Sequence, residues 1–262
     1  MKMDYVRITH EINKHISIIT LNQPEKENAL DNQMITELTQ AFIQSQRNSD
    51  VKAVLLRAAG DTFCTGEDIE YLQRVSKYDF TQNFQDSTDL MKLYQQIYTL
   101  RKPVVCLVQG PALAGGCGLM TVCDFIIASR ETATFGYTES QLGFIPAIVL
   151  IFLVRRIGEG RARELVLQSR VIDADEAFSL GLISKVVPGF ELEKSGFDLI
   201  NELITKNSGT SMGLIKELLS RVPGMVTNDA LDYASHLNAL TRMTDDCKKG
   251  IDAFLNTKSI KW

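Results

Sequence analysis

The chain has 262 residues, long enough to bury a sizeable core as one large domain or as a domain with a helical tail. Its 28 basic and 32 acidic residues give a net charge of −4, which argues against a nucleic-acid-binding surface. The first residues are polar, unlike a signal peptide, and no run approaches the roughly 18 apolar residues of a membrane span. Five cysteines, without metal-ligand spacing, are typical of reduced thiols. We expect a cytoplasmic α/β protein with no metal.

The N-terminal part predicts a β-hairpin followed by a helix. Residues 5–9 and Ile16–Leu21 are rich in β-forming side chains, and residues 13–14 are the expected turn between them. A polar loop follows, and Asp31 is suited to cap a helix over Asn32–Arg47, where apolar residues recur at helical spacing.

Two strand–glycine–helix units follow, about 50 residues apart, a spacing typical of βα-repeat proteins. The first has a strand at 51–57 and a glycine-bearing turn at 63–69, and then a polar and aromatic stretch with one helix predicted from Asp86. The second has a strand at Val104–Val108, the pair Gly115-Gly116, a helix-compatible run and an apolar strand. We place that run at 118–122 and the apolar strand at 125–128.

The second half of the chain is mainly helical. Four amphipathic helices in succession suggest a module that covers a site or makes subunit contacts. We predict helices at 147–156, 161–169, 174–180, Leu192–Lys206, 211–221, 228–242 and 245–256, with a short strand at 183–187.

The stretch from Gln109 to Glu139 carries the chemistry. Glycines before a helix let the backbone approach a ligand closely, and the N–H groups of the first helical turn favour negative charge. Glu139 closes the stretch in a loop flanked by glycines. An N–H donor facing a developing oxyanion, with a carboxylate opposite, suits enolate chemistry beside a carbonyl group.

An ordered set of motifs resembles the crotonase (enoyl-CoA hydratase/isomerase) superfamily over essentially the whole chain. The resemblance implies a spiral of ββα repeats, here assigned to residues 1–195, and a helical trimerisation module at 196–262. It further implies a homotrimer or hexamer acting on a coenzyme A thioester, which is the substrate, with no other cofactor. The motifs are NQPEKENAL from Asn22, FCTGEDIEYL from Phe63, VQGPALAGGCGL from Val108, CDFIIAS from Cys123, FGYTESQLGFIPA from Phe135 and RELVLQSRVIDADEAFSLGLI from Arg163.

The resemblance also implies catalytic roles. The backbone N–H groups of Glu67 and Gly115 match the pair that holds the thioester oxygen as it becomes an enolate. Glu139 matches one of the two acidic positions that flank the substrate. The other position is Gly118, where hydratases carry a glutamate. The chain therefore departs from the two-carboxylate pattern.

The implied substrate-binding residues surround the same two turns. Glu70 occupies the place of the lysine that usually follows the first turn, so Lys26 is the candidate for binding the phosphates of coenzyme A. This difference leaves two possible acyl carriers, free coenzyme A or a carrier protein. Phe254 matches a C-terminal aromatic residue that reaches a neighbouring subunit's ligand. The substrate-binding set is Lys26, Ala29, Leu30, Thr65, Gly66, Asp68, Ile69, Gly116, Gly118 and Phe254.

Several activities fit this pattern. Glu139 alone can serve a hydratase that adds or removes water, or an isomerase that moves a proton between two carbons. A third activity is dehydration of a 3-hydroxy-3-methylglutaryl or related thioester, since parts of the chain resemble methylglutaconyl-type hydratases and the dehydratases of polyketide β-branching. The alternative that is not an enzyme is an RNA-binding relative without catalytic activity. Asp124 is interpreted as structural, and His236 as a histidine of the core or its rim.

Overall fold

Two β-sheets and a set of surrounding helices make up the fold. The structure is a computed structural model that describes residues 5–66, 68–260 and 262. Its strands are β1 (Ile8–Asn13), β2 (Ile16–Leu21), β3 (Ala53–Ala58), β4 (Val104–Val108), β5 (Ala112–Leu113), β6 (Phe125–Ser129), β7 (Thr134–Gly136), β8 (Val171–Asp173) and β9 (Lys185–Val187).

Helices follow most strands, as a βα-repeat protein requires. They are α1 (Asn32–Arg47), α2 (Ile69–Val75), α3 (Phe80–Thr99), α4 (Gly115–Thr121), α5 (Ala147–Ile157), α6 (Glu159–Gln168), α7 (Ala174–Ser179), α8 (Leu192–Lys206), α9 (Gly209–Arg221), α10 (Thr227–Met243) and α11 (Asp245–Leu255). Short 3-10 turns lie at Pro24–Lys26, Glu139–Leu142, Gly189–Glu191 and Val222–Gly224. In the part of the chain that the structure describes, no helix has the length and hydrophobicity needed to cross a membrane.

The main sheet has the strand order β1-β2-β3-β4-β6-β9. Only the β1–β2 pair is antiparallel, and the other neighbours run parallel. Both faces of this sheet are covered. One face packs on α1, α3 and α4 in the larger apolar cluster, and the other packs on α8 in a smaller one. This burial explains the almost unbroken apolar run of Val104–Val108.

The predicted hairpin exists, but its first strand was placed too early. The strand starts at Ile8, because the side chain of Glu37 accepts hydrogen bonds from the backbone N–H groups of Val6, Arg7 and Ile8. The turn also lies one residue later than predicted. Lys14 and His15 both have positive φ, of 45° and 70°, which matches the twist of two antiparallel strands.

The prediction of one helix from Asp86 was wrong, because the segment holds two helices. Asp68 caps α2 by accepting the N–H of Tyr71, and Asp79 caps α3 in a capping box with Gln82. In that box the Asp79 carboxylate accepts the N–H of Gln82, and the Gln82 side chain accepts the N–H of Asp79. This local signal places the start of α3 at Phe80, six residues before Asp86.

A second sheet, in the order β5-β7-β8, was missed entirely. Its strands have two or three residues each, too few for any periodicity to be read. Ala112 pairs with Phe135, and Cys64 forms a bridge to Ala112. The first glycine turn, the second glycine turn and the segment before Glu139 are therefore tied together by backbone hydrogen bonds.

Helix α8 spans the predicted boundary between residues 195 and 196 and buries Leu192, Gly196 and Ile200 against the main sheet. The division into a core and a C-terminal module stays a prediction. The structural interpretation of Asp124 is confirmed. Its carboxylate accepts the N–H of Val104 at 2.7 Å and pairs with the buried ammonium group of Lys216 on α9.

Candidate active site

A cavity of about 580 Å³ lies between α2, α3, α5 and the two glycine turns. This volume suits a small-molecule ligand. The wall is mostly apolar, with a small number of polar groups. It is lined by Thr65, Tyr71, Leu72, Val75, Ser76, Asn83, Asp86, Ser87, Leu90, Ala114, Gly115, Thr138, Glu139, Leu142, Phe144, Ile145, Pro146, Ala147, Ile148 and Val149.

The two glycine turns predicted from the sequence lie against each other. A Cβ atom on Gly66, where φ is +89°, would lie 3.0 Å from the backbone nitrogen of Gly115 and 2.9 Å from the Cβ of Ala114. A Cβ atom on Gly116 would lie 2.1 Å from the carbonyl oxygen of Cys64. Both positions therefore require glycine. The Gly115 N–H belongs to the first turn of α4, where N–H groups have no partner within the helix.

Ala114, just before α4, has an unusual backbone conformation. Its φ of 45° and ψ of −120° are strained for a residue with a side chain, at a typical cost of about 1–3 kcal/mol. The hydrogen bond from its N–H to the carbonyl oxygen of Gly136, at 2.8 Å, holds it in place. Because Ala114 and Gly115 both line the cavity, this hydrogen bond fixes the direction of the backbone at the site.

A loop that carries part of the NQPEKENAL motif supports the first glycine turn from behind. The buried side chain of Asn28 donates to the carbonyl oxygens of Ala59 and Thr62, both at 2.8 Å, and accepts the N–H of Gln23. Leu30 donates its N–H to the carbonyl oxygen of Gly66 at 2.6 Å. The loop is thus an integral part of the site, although its buried residues Ala29 and Leu30 do not line the cavity.

Glu139 begins a 3-10 turn that holds its side chain at the cavity wall, 9% exposed. The backbone carbonyl of Glu139 accepts the N–H of Phe144 at 3.0 Å. The same turn is anchored to the end of α6, where Ser140 pairs with the hydroxyl of Ser169 and Gln141 donates to its carbonyl oxygen. Two elements distant in sequence therefore position this carboxylate.

Gly118 does not face the cavity, and the place of a side chain there is occupied. A Cβ atom on Gly118 would lie 2.5 Å from Val149 Cγ2 and 2.8 Å from both the ring and the hydroxyl of Tyr94. The buried Tyr94 hydroxyl donates to the carbonyl oxygen of Gly115 at 2.6 Å. Glutamate at position 118 would therefore need a rearranged core. Tyr94 and Val149 thus fill the space that a second glutamate would need.

A second acidic residue, which the sequence did not single out, reaches the cavity from α3. The carboxylate of Asp86 accepts a hydrogen bond from the hydroxyl of Tyr71 on α2, and both residues line the cavity. Burial raises the pKa of Asp86, and a hydrogen bond from the amide of Asn32 at 3.2 Å opposes that rise. No periodicity marks Asp86, since it is one of several polar residues on α3.

The predicted site residues lie in different places relative to the cavity. Thr65, Gly115 and Glu139 line the cavity, and Gly66, Gly116 and Gly118 support it from behind. Asp68 caps α2 beside it. Glu67 lies outside the described residues, and Ile69 is described only as the first residue of α2.

Lys26 and Phe254, which were predicted to bind the substrate, also lie away from the cavity wall. Lys26 forms ion pairs with Asp68 at 3.4 Å and with Glu70 at 3.2 Å. These partners raise the pKa of the Lys26 ammonium group, the Glu70 hydrogen bond most strongly. Phe254, on α11, is 84% exposed and does not line the cavity. His236 was wrongly interpreted as a core or rim residue, since it is exposed on α10, where its ring bonds to the carbonyl oxygen of Asp232.

Known proteins resemble this chain over nearly its whole length. Residues 11–262 match the model of the enoyl-CoA hydratase/isomerase family. A protein from Thermus thermophilus named "Putative enoyl-CoA hydratase" is 40% identical, with 93% of this chain and 96% of that protein aligned. A short-chain-enoyl-CoA hydratase from Clostridium acetobutylicum is 30% identical, with 94% of this chain and 93% of that protein aligned.

A crystal structure of an enoyl-CoA hydratase from Shewanella pealeana superposes with a TM-score of 0.93 at 30% identity, covering 98% of this chain and 96% of the other. Together with the mixed sheet and the paired glycine turns, this similarity identifies the crotonase fold. The chain belongs to the enoyl-CoA hydratase/isomerase family and is an enzyme of that family. The resemblance seen in the sequence is thereby confirmed.

Proposed function

We propose that this enzyme adds water to, or removes water from, the carbon–carbon double bond next to the carbonyl group of an acyl thioester. The observation that carries the proposal is that Glu139 and the first N–H-bearing turn of α4, at Gly115, line one largely apolar cavity. A proton-transfer group and an oxyanion donor are thus available to the same bound thioester. The names of the Thermus and Clostridium relatives support the same reaction.

The backbone stabilises the charge that develops on the thioester oxygen. The N–H of Gly115 donates to this oxygen as it becomes an enolate, and the N–H of Glu67 is the second predicted donor. One such donor contributes roughly 3–4 kcal/mol to transition-state stabilisation. Because the hydrogen bond from Ala114 to Gly136 holds the turn in place, the Gly115 N–H needs little reorganisation during the reaction.

Glu139 transfers the protons. In hydration, the carboxylate takes one proton from water while the water oxygen bonds to the carbon of the double bond that is farther from the carbonyl, and the electron pair of the double bond moves onto the thioester oxygen to form the enolate. The proton is then returned to the carbon next to the carbonyl, so the elements of one water molecule are added and Glu139 is regenerated. Dehydration reverses these steps.

The packing of Tyr94 and Val149 against Gly118 supports a second candidate, isomerisation of the double bond. A hydratase with two carboxylates uses the second to orient water, and here that position is closed. An isomerase needs one group to remove a proton from one carbon and deliver it to another, which Glu139 can do alone. Both reactions share the oxyanion site and differ only in whether water is held.

The carrier and the assembly are further parts of the proposal. Coenzyme A is the carrier in the names of the related enzymes, and a carrier-protein arm is the alternative that the pairing of Lys26 with two carboxylates supports. We expect a trimer or hexamer, because α10 and α11 expose large apolar side chains at Leu231, Leu240, Met243, Ile251, Phe254 and Leu255. Sedimentation of a clean monomer at micromolar concentration would reject this assembly.

Replacement of one carboxyl group tests the mechanism. Glu139→Gln should lower kcat by at least about a hundredfold on crotonyl-CoA hydration or on isomerisation of a 3-enoyl thioester, whichever the native enzyme performs. Binding of a saturated acyl-CoA should change little, since the amide keeps the size of the side chain. The control is Glu159→Gln on α6, an exposed residue paired with Arg163. Wild-type turnover by Glu139→Gln on every thioester would reject the mechanism.

A further inference from the structure

The wall of the cavity formed by α2 and α3 carries a polar pair that the proposed reaction does not use. Tyr71 is 2% exposed, and its hydroxyl donates to Oδ1 of Asp86. Tyr71 is itself fixed, because its backbone N–H bonds to the Asp68 carboxylate at the start of α2. The Asp86 carboxyl group is therefore held in one orientation by residues from two other helices, Tyr71 on α2 and Asn32 on α1.

The charges on the cavity wall are of one sign. Among the described lining residues, Asp86 and Glu139 are the acids, and none is arginine, lysine or histidine. A thioester whose acyl chain ended in a carboxylate would bring a further negative charge into a mostly apolar space whose described lining residues include acids and no cation. A neutral acyl chain meets no such electrostatic repulsion.

We propose that Asp86, oriented by Tyr71, is a specificity-determining residue that rejects acyl chains ending in a carboxylate and accepts a hydrogen bond from chains ending in a hydroxyl. The inference rests on the proposed function, in that the cavity is taken to hold the acyl chain. It narrows the substrate class to neutral acyl thioesters. Dehydration of a 3-hydroxy-3-methylglutaryl thioester, whose acyl group ends in a carboxylate, is correspondingly disfavoured.

Matched thioesters provide the test. Wild-type kcat/KM is measured for hexenoyl-CoA and octenoyl-CoA and for the ω-hydroxy and ω-carboxy derivatives of each. The ω-carboxy compound should be worse than its parent by about tenfold or more at one or both chain lengths. The ω-hydroxy compound should equal or exceed its parent. In Asp86→Asn the ratio of parent to ω-carboxy kcat/KM should fall by about tenfold, because one like charge is removed.

The matched control is Asp198→Asn. Asp198 lies on α8, where it pairs with Lys194 at the surface, and it does not line the cavity, so its replacement should leave the ratio unchanged. Equal use of parent and ω-carboxy thioesters by the wild type overturns the inference. So does an unchanged ratio in folded Asp86→Asn.

Measurements of ligand binding distinguish a failure of this inference from a failure of the proposed reaction. The Kd values of hexanoyl-CoA and octanoyl-CoA and of their ω-carboxy derivatives require no turnover and are measured by calorimetry on the wild type. If no unsaturated thioester reacts but the neutral chains bind about tenfold more tightly, the proposed reaction fails and the specificity of the cavity stands. Equal binding of neutral and ω-carboxy chains overturns the inference whether or not turnover is seen, and it does so even if the Asp86 variant does not fold.

Discussion

The hydroxyl of Tyr94 on α3 donates a hydrogen bond, at 2.6 Å and inside the core, to the carbonyl oxygen of Gly115 in the first turn of α4. The same phenol fills the space beside Gly118 one turn further along α4. One side chain thus both closes the position where a second glutamate would stand and holds the carbonyl group of Gly115, the residue whose N–H is the proposed oxyanion donor. The single-carboxylate site and the oxyanion site are coupled through Tyr94.

Removing the Tyr94 hydroxyl should therefore affect catalysis as well as stability. We expect Tyr94→Phe to lower the free energy of unfolding by about 0.5–1.5 kcal/mol, the typical contribution of one hydrogen bond. We also expect kcat to fall with KM little changed, since Tyr94 acts on the donor for the transition state and does not line the cavity. Urea denaturation and steady-state kinetics measure the two effects.

The control for this substitution is Tyr98→Phe. Tyr98 lies on the same helix, and its ring packs against Phe152, a contact that phenylalanine preserves. If Tyr94→Phe lost stability but kept the wild-type kcat, Tyr94 would support the fold alone and the coupling to the oxyanion site would be rejected.

A side chain at position 118 should destabilise the protein. Gly118→Ala would place a Cβ atom 2.5 Å from Val149, and overpacking of this kind typically costs about 1–3 kcal/mol. Gly160→Ala on α6 is the matched control, because no atom lies within 4 Å of its Cβ position and alanine is the better helix former by up to about 1 kcal/mol. Denaturation midpoints of the two variants should move in opposite directions.

The same packing predicts that Gly118→Glu alone will not create a two-carboxylate hydratase. A folded Gly118→Glu protein with increased hydration of crotonyl-CoA would contradict the packing described here.

The stability contribution of Asp86 should depend on pH. Burial raises the pKa of Asp86, so the folded state binds its proton more tightly than the unfolded state does. That contribution is fully present below the ordinary aspartate pKa of about 3.9 and is lost as pH rises through the higher folded-state value. Because asparagine does not titrate, the unfolding free energy of Asp86→Asn should improve relative to the wild type between acidic and neutral pH.

Denaturation at several pH values measures that difference, and an NMR titration of the Asp86 carboxyl carbon checks its cause. A titration midpoint at or below the ordinary aspartate value would contradict this prediction.

The cysteines should differ sharply in reactivity. Cys64, Cys106, Cys117 and Cys123 are buried, whereas Cys247 is half-buried on α11. Burial raises the pKa of the Cys117 thiol, which donates to the carbonyl oxygen of Ala112 at 2.9 Å. Iodoacetamide at mildly alkaline pH should therefore label Cys247 first in the native protein and all five thiols after denaturation, as read by mass spectrometry. Rapid native labelling of Cys117 would show that the core opens readily.

Elements with strong local chemistry matched the structure closely. Asp31 caps α1 by accepting the N–H of Met34, and the bounds Asn32–Arg47, Val104–Val108 and Leu192–Lys206 coincide with those predicted. The capping box at Asp79 is an equally local signal, which the prediction of one helix from Asp86 did not take into account. The short strands of the second sheet offered none, because two or three residues acquire their structure only through partners elsewhere in the chain.

The features of the active site divide in the same way, into those that local sequence predicts and those that only the folded chain reveals. The motifs, the two glycine turns and Glu139 were recognisable because each depends on a few neighbouring residues, and they were enough to define the family and the fold. The cytoplasmic location, the absence of a cofactor, the assembly and the roles of the site residues stay predictions. The closure of the space at Gly118 by Tyr94, the strain at Ala114 and the entry of Asp86 into the cavity became apparent only in the folded chain. These features depend on contacts between residues distant in sequence, and no local pattern records which side chain fills a given space.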